Sequence, residues 1–464
     1  MKYIAAFVLL AFALVTGCAR YKYHAAPILP AAQAASLYAR SLDDPDLRSW
    51  MKQAVAYQPP SWPMETWNLN ALTLAAFYFN PDLDVARANA AAATAAITTA
   101  AMKPNPSIGG GPGYESGDQG PFTMAFNFSL PIETAGKRGY RIANATHLSL
   151  ASRIQLSQTA WVVRSRVRSA LLDYLFAVQS VGLLRKEEAL RSRYVDLTES
   201  RFRTGEIPQP DVTTARIELT ALRQTLSGAE GRVHTTHAAL AAAIGIPESG
   251  LAGKILVWPG ADQPPSPTEL PSQEMQETAV RNRLDVQRAL ERYRAAQSAL
   301  QLQVARQYPD IDLGPGYNYE EGANFIALSL STVLPLRNHN QGPIAEAEAQ
   351  RKVAGAQLLA VQSTVIADTD KALRQYAAAY ATLKVADHSA DQLEEQQQAA
   401  MRMQQLGETD RLTVVAAELQ TSVAERARLD ALHQTQLSLG LVEDALQRPI
   451  SPTTTPALPK SAPR

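Results

Sequence analysis

Cysteine is nearly absent, with Cys18 alone in 464 residues. An internal disulfide is therefore excluded, as are zinc or iron–sulfur sites built from cysteine clusters within one chain. An excess of either charge is also lacking. Lys and Arg total 44, and so do Asp and Glu. A chain without basic surplus does not carry the electrostatic footprint of a dedicated nucleic-acid binder. Mean hydropathy is −0.17, which excludes a polytopic helical membrane protein. It does not exclude a transmembrane β-barrel, whose alternating strands average out. Nucleotide and catalytic motifs are missing too. Gly109-Gly110-Gly111 lies on a strand-like segment with no helix behind it, and no Ser/His/Asp constellation has a context that supports catalysis. Hydrophobic residues reach 46% and charged residues only 19%, so the chain is folded rather than disordered.

At the N-terminus, Lys2 gives a positive start and residues 4–15 form an uncharged apolar run. The run is short for a spanning helix and fits an export signal. Leu14-Val15-Thr16-Gly17-Cys18 closes it and resembles a bacterial lipoprotein signal, with residues 1–17 as the signal peptide and Cys18 as the lipidated residue. Ala19 follows, where an Asp would suggest inner-membrane retention, so the resemblance implies the outer membrane. Residues 18–64 are then the lipid-anchored N-terminal segment. More than one acyl chain is needed for stable attachment.

The chain repeats itself. Leu83-Asp84-Val85 returns as Leu284-Asp285-Val286, Gly111-Pro112-Gly113-Tyr114 as Gly314-Pro315-Gly316-Tyr317, Leu130-Pro131 as Leu334-Pro335, and Gly205-Glu206 as Gly407-Glu408. The offsets stay between 201 and 204, which marks a duplication. We assign 65–260 and 272–447 as the two copies, 261–271 as a Pro-rich linker and 448–464 as a flexible tail.

Each copy reads as helix, two strands, long helix, turn and helix. In the first copy Asn80 caps and Pro81 opens a helix ending near Met102. After the strands, a helix runs from about Gly139 to Thr204, roughly 100 Å at 1.5 Å per residue, and a helix of that length needs packing partners throughout. Phe176, Leu183, Leu190 and Leu197 recur every seven residues, and Leu219, Leu222, Leu226, Ala229, Val233, Thr236 and Leu240 step by three and four. The two rows predict a coiled-coil-type seam. The second copy repeats this with helices over about 341–406 and up to 446.

The strands alternate. Phe122, Met124, Phe126, Phe128 and Leu130 interleave with Thr123, Ala125, Asn127 and Ser129. In the second copy Ile311, Leu313, Tyr317 and Tyr319 take one face, and Asp310, Asp312, Asn318 and Glu320 the other, which would be the lumenal face of a barrel built from these strands. Each segment has about the 9–11 residues of a tilted membrane-crossing strand. Four strands cannot close a barrel, and an open sheet edge is forbidden in lipid, so membrane-spanning strands require association. Two chains would fill the barrel with side chains, whereas three would leave a lumen.

At this point the chain resembles the TolC-like outer-membrane efflux protein family over about residues 65–447. The resemblance rests on the duplication, on Leu-Pro closing each second strand, on Gly136-Lys137-Arg138, and on Phe202-x-x-Gly205 with Asp211-Val212-x-x-Ala215 and its counterpart from Met403 to Ala417. It implies a mainly α fold with a transmembrane β segment: a homotrimeric 12-stranded barrel continued by a periplasmic helical barrel. It also implies a duct that catalyses nothing and needs no cofactor, working with a periplasmic adaptor and an inner-membrane RND-type pump. Thr204-Gly205-Glu206 and Leu406-Gly407-Glu408 would be the adaptor-docking tips. Family members narrow the tip with acidic rings, whose positions fall on Thr413 and Ala416 here. Asp211 matches the family's turn acid, and Asp410 with Arg411 is a candidate replacement ring or lock. The segment from Pro131 to Arg138 looks more like the heavy-metal branch than the multidrug branch. The alternative is a lipid-anchored periplasmic coiled coil without a pore.

Two further motifs have metal-binding residue types. His234 and His237 have ligand spacing on a helix but no carboxylate or cysteine companion, and Met401 and Met403 near the second tip suit helix packing as well as soft-metal binding. No metal site is assigned.

Overall fold

The computed structural model describes residues 22–450, apart from 55, 56, 58, 60, 115–121, 271–276, 278–280 and 321. Cys18, the turn at 115–121 and most of the tail lie outside the described residues. The chain divides into a unit ending at Arg40 and a unit from Ser41 onward. The first holds helix α1 (Pro30–Tyr38).

The second unit carries the duplication. Helix α2 (Pro45–Ala54), strand β1 (Thr66–Asn68) and helix α3 (Leu69–Phe79) lead into α4 (Pro81–Ala100), β2 (Ser107–Tyr114), β3 (Phe122–Ile132), α5 (Lys137–Arg203) and α6 (Gln209–Ile244). After β4 (Ile255–Val257), the second copy runs α7 (Leu284–Ala305), β5 (Ile311–Glu320), β6 (Ala323–Thr332), α8 (Gln341–Gln405) and α9 (Arg411–Leu446). The long helices have 67 and 65 residues, and both return helices have 36.

Local chemistry sets the boundaries. The Asn80 side chain accepts from the Asp82 N–H at 3.0 Å, opening α4 with Pro81 in its first turn. Helix α5 contains no proline, so nothing interrupts its hydrogen-bond ladder. Near the chain's middle, α3, α4, α5 and α6 bury a core that includes Trp67, Leu72, Leu83, Val163, Leu171 and Leu240. Strands β1 and β4 pair in parallel beside it, with Trp67 opposite Leu256.

The predicted heptad on α5 is only partly right. Phe176 is buried, but Leu183, Leu190 and Leu197 are half-buried, while Leu184, Glu187, Val195 and Thr198 are buried. The reason is that α5 packs against α6 on one side and α9 on another. Along the stretch that carries the heptad, neighbours on two sides leave no single buried stripe.

The four long strands form one antiparallel sheet in the order β2-β3-β5-β6, joining the two copies through β3 and β5. The register aligns the alternation across all four strands. One face carries Ile108 and Tyr114, Phe122 to Ile132 at even positions, Leu313, Tyr317 and Tyr319, and Ile326, Leu328 and Leu330. The other carries Ser, Gly, Ala, Thr and Asn with Asp312 and Glu320; Phe325 is its one aromatic side chain among the described residues. The repeated Gly-Pro-Gly-Tyr has a steric reason in β5. A Cβ on Gly314 would lie 1.5 Å from the Phe128 carbonyl oxygen, so strands β3 and β5 pair this closely only without a side chain there.

Candidate functional site

The two inter-helix turns are built alike. At the end of α5 the Gly205 N–H donates to the Phe202 carbonyl (3.0 Å) and the Glu206 N–H to the Arg201 carbonyl (2.9 Å). At the end of α8 the Gly407 N–H donates to Gln404 (3.0 Å) and the Glu408 N–H to Met403 (2.9 Å). This is the Schellman arrangement, which satisfies the last carbonyls of a helix. It requires φ of +80° at Gly205 and +78° at Gly407, and no atom lies within 4 Å of a Cβ at either position. Glycine is therefore needed for conformation rather than for space.

The copies then diverge. Helix α6 starts from Pro208 without a side-chain cap. Helix α9 starts from Asp410, whose Oδ1 accepts from the Thr413 N–H (2.7 Å) and the Thr413 hydroxyl (2.8 Å). The other carboxylate oxygen pairs with the Arg201 guanidinium, which also lies 3.7 Å from Glu206. One arginine thus spans both turns. The Thr413 N–H, the Thr413 hydroxyl and Arg201 hold the Asp410 carboxyl below its ordinary pKa.

Sequence reasoning set Asp410 beside Arg411, its neighbour. The structure brings Asp410 to Arg201 instead, a residue the sequence reading had not singled out. Arg411 and Asp211 are exposed. Thr204 closes its own turn by donating to the Arg201 carbonyl and Glu206, each at 2.9 Å, and Leu406 is 74% exposed.

Polar pairs continue along the α5–α9 seam. Arg426 meets the buried Glu187 at 3.2 Å, and His433 meets Asp173 at 2.8 Å while stacking on Phe176. Near the far end Glu443 accepts Arg164 (3.1 Å) and faces Arg168 (3.2 Å). Asp444 takes the Trp161 indole N–H at 2.9 Å and the Ser165 hydroxyl at 2.5 Å. Burial raises the Asp444 carboxyl despite these donors. His234 is exposed, and His237 bonds Glu248 at 3.2 Å.

At the sheet end of α5, Gly136-Lys137-Arg138 acts as a joint. Lys137 Nζ reaches Asp310 at 2.7 Å, the Thr134 N–H donates to the same oxygen at 2.9 Å, and Arg138 and Arg141 donate to the carbonyls of Ala100, Ala101 and Met102 at and just past the end of α4. Asp310 therefore departs from its lumenal assignment. It precedes β5, and its charge is neutralised by Lys137 of the first copy. Burial alone would raise its carboxyl, but Lys137 and the Thr134 N–H outweigh this and hold it low. Asp312, Asn318 and Glu320 do share the small-residue face of β5.

A family model described as "Outer membrane efflux protein" matches residues 76–246 and 276–443. The chain belongs to this family. As an outer membrane efflux protein it is similar to the cobalt-zinc-cadmium resistance protein CzcC of Cupriavidus metallidurans, with 26% identity over 247 residues, 51% of this chain. The match spans 56% of that protein's length. The fold is that of the outer membrane protein VceC of Vibrio cholerae, with TM-score 0.65 at 19% identity over 82% of this chain and 97% of that one. The open-state MtrE outer membrane channel of Neisseria gonorrhoeae gives TM-score 0.62 at 16% identity, covering 82% and 89%. The family is one of efflux ducts rather than enzymes.

Proposed function

We propose that this protein is the exit duct of a tripartite efflux system. Three chains close twelve strands into an outer-membrane barrel, and their helices continue it into the periplasm. Lipid on Cys18 anchors each chain. The turns at Gly205 and Gly407 meet a periplasmic adaptor fed by an inner-membrane RND-type pump. The Arg201–Asp410 pair latches the tips, and Asp211 and Arg411 are exposed charges at the starts of α6 and α9. The cargo is a heavy-metal cation, a reading supported by the likeness to CzcC and by the segment from Pro131 to Arg138.

One observation carries this. The four-stranded sheet has β2 and β6 as unpaired edges, and its apolar face is exposed, with Ile326 84%, Leu328 73% and Leu330 70% accessible in the single chain. Unpaired edges are costly in lipid, and an apolar sheet face is costly in water. Closure with two further copies in a bilayer removes both costs.

The test is cysteine labelling in whole cells. A lipid-phase probe is expected to modify Leu328→Cys and a small aqueous probe Ser329→Cys. Equal aqueous labelling of both would instead favour the coiled coil without a pore. Deleting the gene and challenging cells with metal ions and with hydrophobic drugs separates the cargo classes.

A further inference from the structure

Although the whole chain is neutral, its sheet segments are not. Residues 107–132 and 311–336 contain no Lys, Arg or His and five carboxylates: Glu115, Asp118, Asp312, Glu320 and Glu321. Of these, Asp312 and Glu320 lie on described strand positions. The register puts both on the face lined by Gly, Ser, Ala and Asn. They stand eight residues apart on β5, about 26 Å at 3.3 Å per residue, so they mark opposite ends of the strand. Asp312 is half-buried and accepts the Ser129 hydroxyl at 3.3 Å, and Glu320 is exposed. Neither has a basic partner among the described residues. Asp310, one residue before the strand, is neutralised by Lys137.

The helical turns differ. Residues 201–211 and 402–411 hold four acidic and four basic side chains, and Asp410 is paired with Arg201. Fixed charge of one sign is therefore concentrated in the sheet, while the tips are balanced.

From this we infer that the duct's ion selectivity resides in the barrel: Asp312 and Glu320, each repeated three times around the lumen, are specificity-determining residues that admit cations and disfavour anions. The inference rests on the trimeric channel proposed above. Like charges lining a water-filled passage with low-dielectric walls focus their field along it, and no counter-charge on this face cancels them. Glu320, opposite Ala323, is exposed, and Asp312, between Pro131 and Ser331, is half-buried with part of its carboxylate reaching the face.

The experiment uses purified full-length protein in planar bilayers under a tenfold KCl gradient. The background is Arg201→Ala/Asp410→Ala, which unlatches the tips and removes one charge of each sign. That background is expected to pass cations over anions by about tenfold. Adding Asp312→Asn and Glu320→Gln is expected to bring the ratio below about twofold with conductance of similar size, and Glu320→Lys to lower it further. Both neutral variants keep hydrogen-bonding groups, and retained conductance reports an intact pore. A ratio unmoved by the neutral variants, or anion preference in the background, overturns the inference while leaving the channel standing. Intact trimers without conductance in any variant overturn the channel reading, and this inference with it.

Discussion

Arg201, in the last turn of α5, reaches across 209 residues of sequence to pair with Asp410, the N-cap of α9. The pair joins the turn of one repeat to the turn of the other. Both side chains are partly exposed, at 32% and 43%, and such a pair contributes about 0.2–1 kcal/mol. In the proposed trimer, three copies of the pair would act together. Asp410→Asn keeps the cap and removes the charge. We expect it to raise the conductance of bilayer-reconstituted protein at least about twofold, with Arg201→Ala doing the same. Unchanged conductance in both would remove the latch.

Asp410→Ala is expected to do more than Asp410→Asn. It removes the acceptor for the Thr413 N–H as well as the charge, and losing an N-cap costs about 1 kcal/mol. Faster amide exchange at Val414 and Val415 in the alanine variant alone is the expected signature.

Gly205→Ala and Gly407→Ala each force a Cβ into positive φ, at a cost of about 1–2 kcal/mol. Because space is open at both turns, the loss is local. Proteolysis is expected to nick the altered turn sooner while the core near Trp67 melts unchanged.

The pH response of the tips has a defined sign. The folded pKa of Asp410 is depressed, so its stabilisation is complete above the unfolded value of about 3.9 and is lost as pH falls through the lower folded value. Asp387 behaves alike, since its bonds to Arg428 and Lys384 outweigh the burial that would raise it. Distances between spin labels at Thr204 and Leu406 should stay constant from about pH 5 to 8 and broaden below the ordinary carboxylate range. Broadening near neutrality would contradict this sign.

Glu443 is 2% exposed and faces Arg164 and Arg168. Glu443→Ala would strand two buried guanidinium groups, and breaking such a cluster costs about 3–5 kcal/mol. Thermal unfolding should show a much larger loss for Glu443→Ala than for Glu187→Ala, whose partner Arg426 is 29% exposed and can rehydrate.

Periodicity and duplication were legible in the sequence because both are local patterns. The alternation from Phe122 to Leu130 needed only a period of two, and the twin turns needed only the spacing around Gly205 and Gly407. What was not legible depended on distant partners. Asp310 fitted the alternation, yet the strand begins one residue later and Lys137 of the other repeat takes its charge. Arg201 carried no signal of its own, since many arginines end helices. The heptad of leucines on α5 misled because a second neighbour, α9, shares the burial.

Lys137 and Arg201 lie on one unbroken helix, the first holding Asp310 at the foot of the sheet and the second holding Asp410 at the turn. Their separation is about 96 Å at 1.5 Å per residue. A rod of that reach works as a lever. One degree of tilt about its fixed end displaces the other by about 1.7 Å for this length. A hydrogen bond tolerates only a few tenths of an ångström around its mode. A rotation too small to disturb the strands is therefore enough to part the two turns.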